Sequence, residues 1–305
     1  MSLIEKAIEK MRATESAPTR TRSVPRPVSA ATRGEPSTEP QAEASAAAPV
    51  LPRAKTLHIN RAALRAAEYF PEEGCESRFA NYYRQIKRPL LQRAFASDES
   101  PDARLVLLTS ALPGDGKSFT SINLAFSMAR ERDSTVLLVD ADVPKPNISR
   151  VLGMQDERGL LDAVLDETLD PESLIMGTNL PGLEVLPSGT PVEQASELLT
   201  SARMMQIVMR LCANPRRIVL FDAPPLLLSS EARALMSLPG QVVLVVRAGK
   251  TPREAVRDAL QLIDEQKLTG LILNEGSAGL SDGYYGYGYG YGNYGSEGKQ
   301  GAGGG

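Results

Sequence analysis

"RLVLLTSALPGDGKSFTSINLAFSMARE", residues 104–131, decides how the rest of the chain is read. It opens with a continuous apolar run of strand length, Leu105–Leu108. It passes through a turn holding Pro113, Gly114 and Gly116, then settles into a helical pattern. A strand that is apolar at every position has both faces buried, which is the mark of a parallel sheet covered by helices. The turn has the composition of a phosphate-binding loop. Gly114 and Gly116 let backbone amides approach phosphate oxygens, and the helix that follows directs its positive dipole end at the same place. Lys117 reaches the β- and γ-phosphates, and the Ser118 hydroxyl coordinates magnesium. Contacts to nucleotide are expected from Pro113, Gly114, Asp115, Gly116, Lys117, Ser118 and Phe119.

Working outward, the same alternation continues. Apolar runs at 134–140, 183–189, 216–222, 241–247 and 270–276 read as buried strands, and helical patterns at 118–131, 202–213 and 252–266 separate most of them. The expected fold is α/β, a mostly parallel sheet with helices on both faces. Ligands in such sheets bind at the carboxyl ends of the strands. Two of those ends carry acids. "VLLVDADVPKP" places Asp140 and Asp142 at the end of one strand, where they can face the phosphate loop and its metal. "IVLFDAPPLL" places Asp222 at the end of another, where one acid suffices to hold magnesium through water.

The flanks differ in composition. Residues 1–12 form an amphipathic helical pattern with Leu3, Ile4, Ala7, Ile8 and Met11 on one face. A helix that short is marginal alone, so it needs a surface to dock on. Residues 13–57 hold seven prolines and no aromatic residue, and read as a disordered linker. The folded unit is expected to span 58–278, and 279–305 is a flexible tail. Six of the nine tyrosines sit in that tail: Tyr284, Tyr285, Tyr287, Tyr289, Tyr291 and Tyr294. Its glycines make ordering costly and it has no side chain fit for a core. At 76–95 a helical stripe of Phe79, Tyr82 or Tyr83, Ile86 and Leu90 is set against a basic face of Arg78, Arg84, Lys87 and Arg88. Pro89 should kink or split this helix.

The bulk numbers exclude several classes. A net charge of −3 gives no global signal for nucleic acid. Two cysteines make no disulfide framework, and one histidine rules out a His-rich metal site. No apolar run approaches the ~20 residues of a membrane span, so a cytoplasmic protein is expected, recruited to the inner face of the membrane by a partner.

Four stretches taken in order, "ALPGDGKS", "LLVDAD", "IVLFDAPP" and "YYGYGYGYGNY", resemble the bacterial tyrosine kinases, a P-loop family with a deviant, partition-ATPase-like Walker A. The openings "SLIEKAIEKM" and "YYRQIKRPLL" also look like the subgroup found with exosortase and exopolysaccharide systems. The resemblance implies an ATP- and Mg2+-dependent protein-tyrosine autokinase that regulates exopolysaccharide synthesis or export. Lys117 would neutralise the transferred phosphoryl group. Ser118, Asp142 and Asp222 would hold magnesium. Asp140 and Asp142 would serve the metal and the incoming hydroxyl, with Asp142 the base. Asn274 looks like the family's adenine-contacting asparagine, and the six tail tyrosines would be the phosphoacceptors. Implied partners are a membrane polysaccharide chain-length or export protein as activator, further copies of the chain, and a tyrosine phosphatase. Two departures stand out. Pro144 occupies the place of the family's arginine, with Lys145 next to it, and the family's subunit-contact ExxRxxR reads Asn81, Arg84, Lys87. The alternative is a partition or septum-site ATPase, a dimerisation switch that phosphorylates no protein. Such proteins carry a second lysine early in the loop, where this chain has Leu112, and they lack a tyrosine tail.

Overall fold

The computed structural model describes residues 55–96 and 101–276. The readings of 1–12, of most of 13–57 and of the tail tyrosines lie outside the described residues.

Eight strands form one sheet: β1 (Thr56–Leu57), β2 (Leu105–Ser110), β3 (Thr135–Asp140), β4 (Met176–Thr178), β5 (Leu183–Leu186), β6 (Arg217–Asp222), β7 (Gln241–Arg247) and β8 (Leu268–Asn274). Their spatial order is β1-β4-β5-β3-β6-β2-β7-β8. Every pairing is parallel except β4 with β5. β2, the opening strand, lies between β6 and β7, with Leu107 opposite Phe221 on one side and Val242 on the other. Burial on both faces explains its unbroken apolar run. Leu105 and Leu107 enter one core with Leu137, Val219 and Leu244, while Val106 and Leu108 enter the other with Leu138, Leu220 and Val243.

Helices cover both faces, as the strand pattern requires. One face is packed by α1 (Arg61–Ala66), α2 (Glu76–Ala94), α3 (Lys117–Met128) and α4 (Asn147–Val151), contributing Leu64, Leu90, Ile122 and Ile148. The other is packed by α5 (Leu160–Leu165), α6 (Ala195–Leu199), α7 (Ala202–Leu211), α8 (Ser230–Leu235) and α9 (Arg253–Gln261), contributing Leu161, Leu199, Ile207, Leu235 and Ala259.

Three local readings are corrected. The strand read at 183–189 ends at Leu186, because Pro187 has no N–H to continue the ladder. The Pro187 and Ser188 carbonyls instead accept from Leu160 and Leu161 at the start of α5. Pro89 does not split α2, which runs unbroken from Glu76 to Ala94. Its missing N–H removes one hydrogen bond, and burial of Tyr83, Leu90 and Ala94 on either side offsets the loss. Lys87 does not belong to the outer basic face. It is buried, donating to the Ser127 carbonyl at 2.6 Å and pairing with Glu131 at 2.7 Å. Asn81 and Arg84 remain exposed.

Candidate functional site

The phosphate loop joins β2 to α3, and each of its glycines has a separate reason. Gly114 has φ +86° with open space around it, so only its backbone conformation demands glycine. Gly116 has φ +92°, and a Cβ there would sit 1.9 Å from the Asn274 side-chain nitrogen. Asn274 is the last residue of β8, and its amide donates to the Asp115 carbonyl at 3.1 Å.

Three strands end side by side at this loop. Asp140 and Asp222 are register partners at the ends of β3 and β6. Ser118 donates to one Asp222 oxygen at 2.6 Å and Ser121 to the other at 2.9 Å. Lys117 is ion-paired with Asp142. Asp140 accepts from the Ser149 N–H at 2.7 Å through one oxygen, while its other oxygen is buried with no hydrogen-bond partner. Sequence spacing thus brought together Lys117, Ser118, Asp140, Asp142 and Asp222 as expected. It missed Ser121, though the signal was present: residues three apart share a helix face, so a serine at 121 points the same way as Ser118.

The electrostatics are those of a buried site with excess negative charge. Burial, then the neighbouring Asp222, push the Asp140 carboxyl up to about 7. Burial likewise raises Asp222, although Lys117 and the Ser118 hydroxyl pull the other way. Burial alone would lower the Lys117 ammonium, but Asp222 and Asp142 outweigh it and hold it above its usual range. Three acids and one cation leave room for more positive charge. The unpartnered Asp140 oxygen and the Ser118–Asp222 pair suit a hard cation such as Mg2+. Among the described residues no group of three acids, histidines or cysteines forms a ready metal cage. Magnesium in nucleotide sites is held by one or two protein groups together with substrate phosphates.

A cleft of about 480 Å3 opens beside the loop. Its charged lining is Lys117, Asp142, Lys145 and Glu231, and its apolar lining includes Pro224, Pro225 and Leu228. The segment carrying the apolar part is pinned: Thr109 donates to the Pro224 carbonyl at 2.6 Å, and the Leu226 N–H donates to Ser110 at 2.8 Å. Leu226 is fully buried whereas Leu228 is 68% exposed.

Two loop residues use their side chains inside the protein. The Asp115 side chain is consumed inside the protein, accepting from the Leu112 N–H at 3.1 Å and from Thr251 at 2.6 Å. The Phe119 ring packs edge-on against Phe79 of α2, 6.0 Å between centroids.

A family model described as an AAA domain matches residues 104–272, more than half of the chain. Tyrosine-protein kinase YwqD of Bacillus subtilis is 35% identical over 185 residues, which is 59% of this chain and 77% of that protein. The chain belongs to the bacterial tyrosine kinases. The kinase domain of the Escherichia coli tyrosine kinase ETK superposes with a TM-score of 0.57 at 25% identity, over 69% of this chain and 80% of that one. The succinoglycan biosynthesis transport protein ExoP of Rhizobium meliloti is 30% identical over 204 residues, 65% of this chain. This kinase spans a quarter of ExoP's length.

Proposed function

We propose that this kinase transfers the γ-phosphoryl group of ATP to the phenols of its own tail, Tyr284, Tyr285, Tyr287, Tyr289, Tyr291 and Tyr294, and that it acts within a bacterial exopolysaccharide system. The observation that carries the reading is the convergence of Lys117, Ser118, Asp142 and Asp222 on one phosphate loop beside a cleft with an apolar side. The catalytic unit is 58–278. The phenol oxygen forms a bond to the γ-phosphorus as the bond to the β–γ bridging oxygen breaks. ADP departs, and the phenol proton passes to the Asp142 carboxylate. Lys117 neutralises charge on the phosphoryl oxygens. Ser118, Asp142 and Asp222 would hold Mg2+, which when bound neutralises charge developing on the phosphates. Asp140 adds negative charge next to that position. Asn274, whose amide already rests on the loop at Asp115, borders the nucleotide's base.

The apolar lining favours a phenol over a serine hydroxyl. Pro224, Pro225 and Leu228 can cover a ring, and the tail segment 284–294 carries rings and no charge. Each phosphate adds roughly −1.5 to −2 charge, so the modified tail would leave a site lined by acids. Self-association before phosphorylation and release after it follow, with a phosphatase resetting the cycle. Activation would come from a membrane polysaccharide-export protein engaging residues 1–57.

The test is incubation with Mg2+ and labelled ATP, then mapping of the labelled residues, for the wild type and Lys117→Met. Label on the tail tyrosines of the wild type alone is expected, with thermal melting confirming that the variant is folded. ATP hydrolysis without any protein label would favour the partition-type switch instead.

A further inference from the structure

The turn after β7 reaches across to the phosphate loop through a single hydroxyl. Thr251 lies between β7 and α9, past Gly249, whose φ of +66° turns the chain. Its hydroxyl oxygen accepts from the Arg247 N–H at 2.9 Å and donates to Asp115 at 2.6 Å. Asp115 is only 3% exposed, and its second oxygen holds the Leu112 N–H at 3.1 Å. The carboxylate therefore closes the loop on itself, from 112 to 115, and the Thr251 hydroxyl is the strut behind it. A buried carboxylate robbed of a donor is costly, so the loop would rearrange to recover one.

The loop backbone is restrained from the same side. Arg247 donates to the Gly114 carbonyl at 3.5 Å while paired with Glu275 at 2.6 Å, and Asn274 donates to the Asp115 carbonyl at 3.1 Å. In a planar trans peptide the N–H points opposite to the C=O. Holding the carbonyls of Gly114 and Asp115 toward Arg247 and Asn274 turns the N–H groups of Asp115 and Gly116 the other way, free to meet an anion.

We propose that Thr251 is a positioning residue for the nucleotide's phosphates, acting through Asp115 to fix the loop in its anion-accepting shape. The inference rests on reading the loop as the nucleotide site, and it deepens that reading without depending on what accepts the phosphoryl group. Loop amides contact phosphates in ground state and transition state alike, so their loss appears as weaker binding more than slower turnover.

The experiment compares wild type with Thr251→Val and Thr251→Ala, which lack the hydroxyl, and Thr251→Ser, which keeps it. The readouts are the Kd of fluorescently labelled ADP with Mg2+, measured without acceptor, then KM for ATP and kcat, with thermal melts alongside. Losing a hydrogen bond to a charged group predicts about 10- to 100-fold weaker ADP binding in the hydroxyl-free variants, with KM rising in step and kcat changing less than about threefold. Thr251→Ser should bind within about threefold of wild type. Wild-type affinity in either hydroxyl-free variant, or a serine variant as weak as those two, overturns the proposal. If wild type binds ADP but labels no tyrosine, the kinase reading fails while the Thr251 result stands.

Discussion

Replacing Asp140 with asparagine should stabilise the protein, and more so the higher the pH. Asp140 is fully buried at the end of β3 beside Asp222, and its carboxyl is pushed up to about 7 from 3.8. The sign follows from linkage. Below pH 3.8 both folded and unfolded chains hold the proton, and Asp140 contributes nothing. Between about 4 and 7 the unfolded chain releases the proton and the folded one keeps it, so stability falls as pH rises. Above about 7 both are ionised and the penalty is complete. A shift of roughly three units at 1.36 kcal/mol each sets a ceiling of about 4 kcal/mol. Roughly a third of it is already present at pH 5, so on the order of 3 kcal/mol should accumulate between pH 5 and pH 8.

Asparagine keeps the oxygen that accepts from the Ser149 N–H and removes the charge. The wild type titrates many groups between these pH values, so the informative quantity is the difference between variant and wild type at each pH. At about 2–4 °C per kcal/mol for a domain of this size, that difference in Tm should grow by about 6–12 °C from pH 5 to pH 8. The assay is thermal unfolding followed by circular dichroism without nucleotide or magnesium. A difference in Tm that stays constant across the range would refute the reasoning, since Asp140 would then ionise as an ordinary carboxyl. The variant's expected loss of kinase activity would mark Asp140 as a charge kept for function against stability.

Other outcomes follow from the same geometry. Leu228→Asp should raise KM for an added Gly-Tyr repeat peptide several-fold while ADP affinity stays within about twofold, because it disrupts only the apolar side of the cleft; unchanged peptide kinetics would remove Leu228 from acceptor binding. Lys87→Ala should cost about 1–3 kcal/mol in urea unfolding, since it removes a buried side chain and strands the Ser127 carbonyl, whereas Arg84→Ala, on the exposed side of α2, should cost under about 0.5 kcal/mol. Lys117→Met should abolish tail labelling and also lower Tm, because Asp142 and Asp222 lose their buried cation.

What the sequence made legible is what repeats or what chemistry forces. Strands buried on both faces must be apolar throughout, so β2, β3, β6 and β7 stand out within a residue or two of their observed ends. The loop's glycines and the strand-end acids have few other uses in such a sheet. Elements too short to show a period escaped. β4 has three residues and β1 two, and both are defined by their pairing, β1 with β4 more than a hundred positions away, rather than by any local pattern. α5 was hidden for a related reason: its start is fixed by carbonyls at Pro187 and Ser188, more than twenty positions away in sequence.

Side-chain use was less legible than side-chain position, and Asp115 and Lys87 show why. Each sits in a stretch whose residue types suggested outward chemistry, Asp115 among phosphate-loop residues and Lys87 on a basic helix face. Each is instead satisfied inward by a partner remote in sequence, Thr251 for one and Ser127 with Glu131 for the other. A polar side chain can lie in either environment, and the choice depends on whether the tertiary fold brings a donor or acceptor within about 3 Å. The converse holds for Asp140, which the sequence placed at a strand end. There the fold supplies a partner to one oxygen and withholds it from the other, and the buried oxygen left over suits a cation rather than a structural role. Asp115, satisfied at both oxygens, holds the loop in shape, whereas Asp140 keeps one buried oxygen open to a ligand.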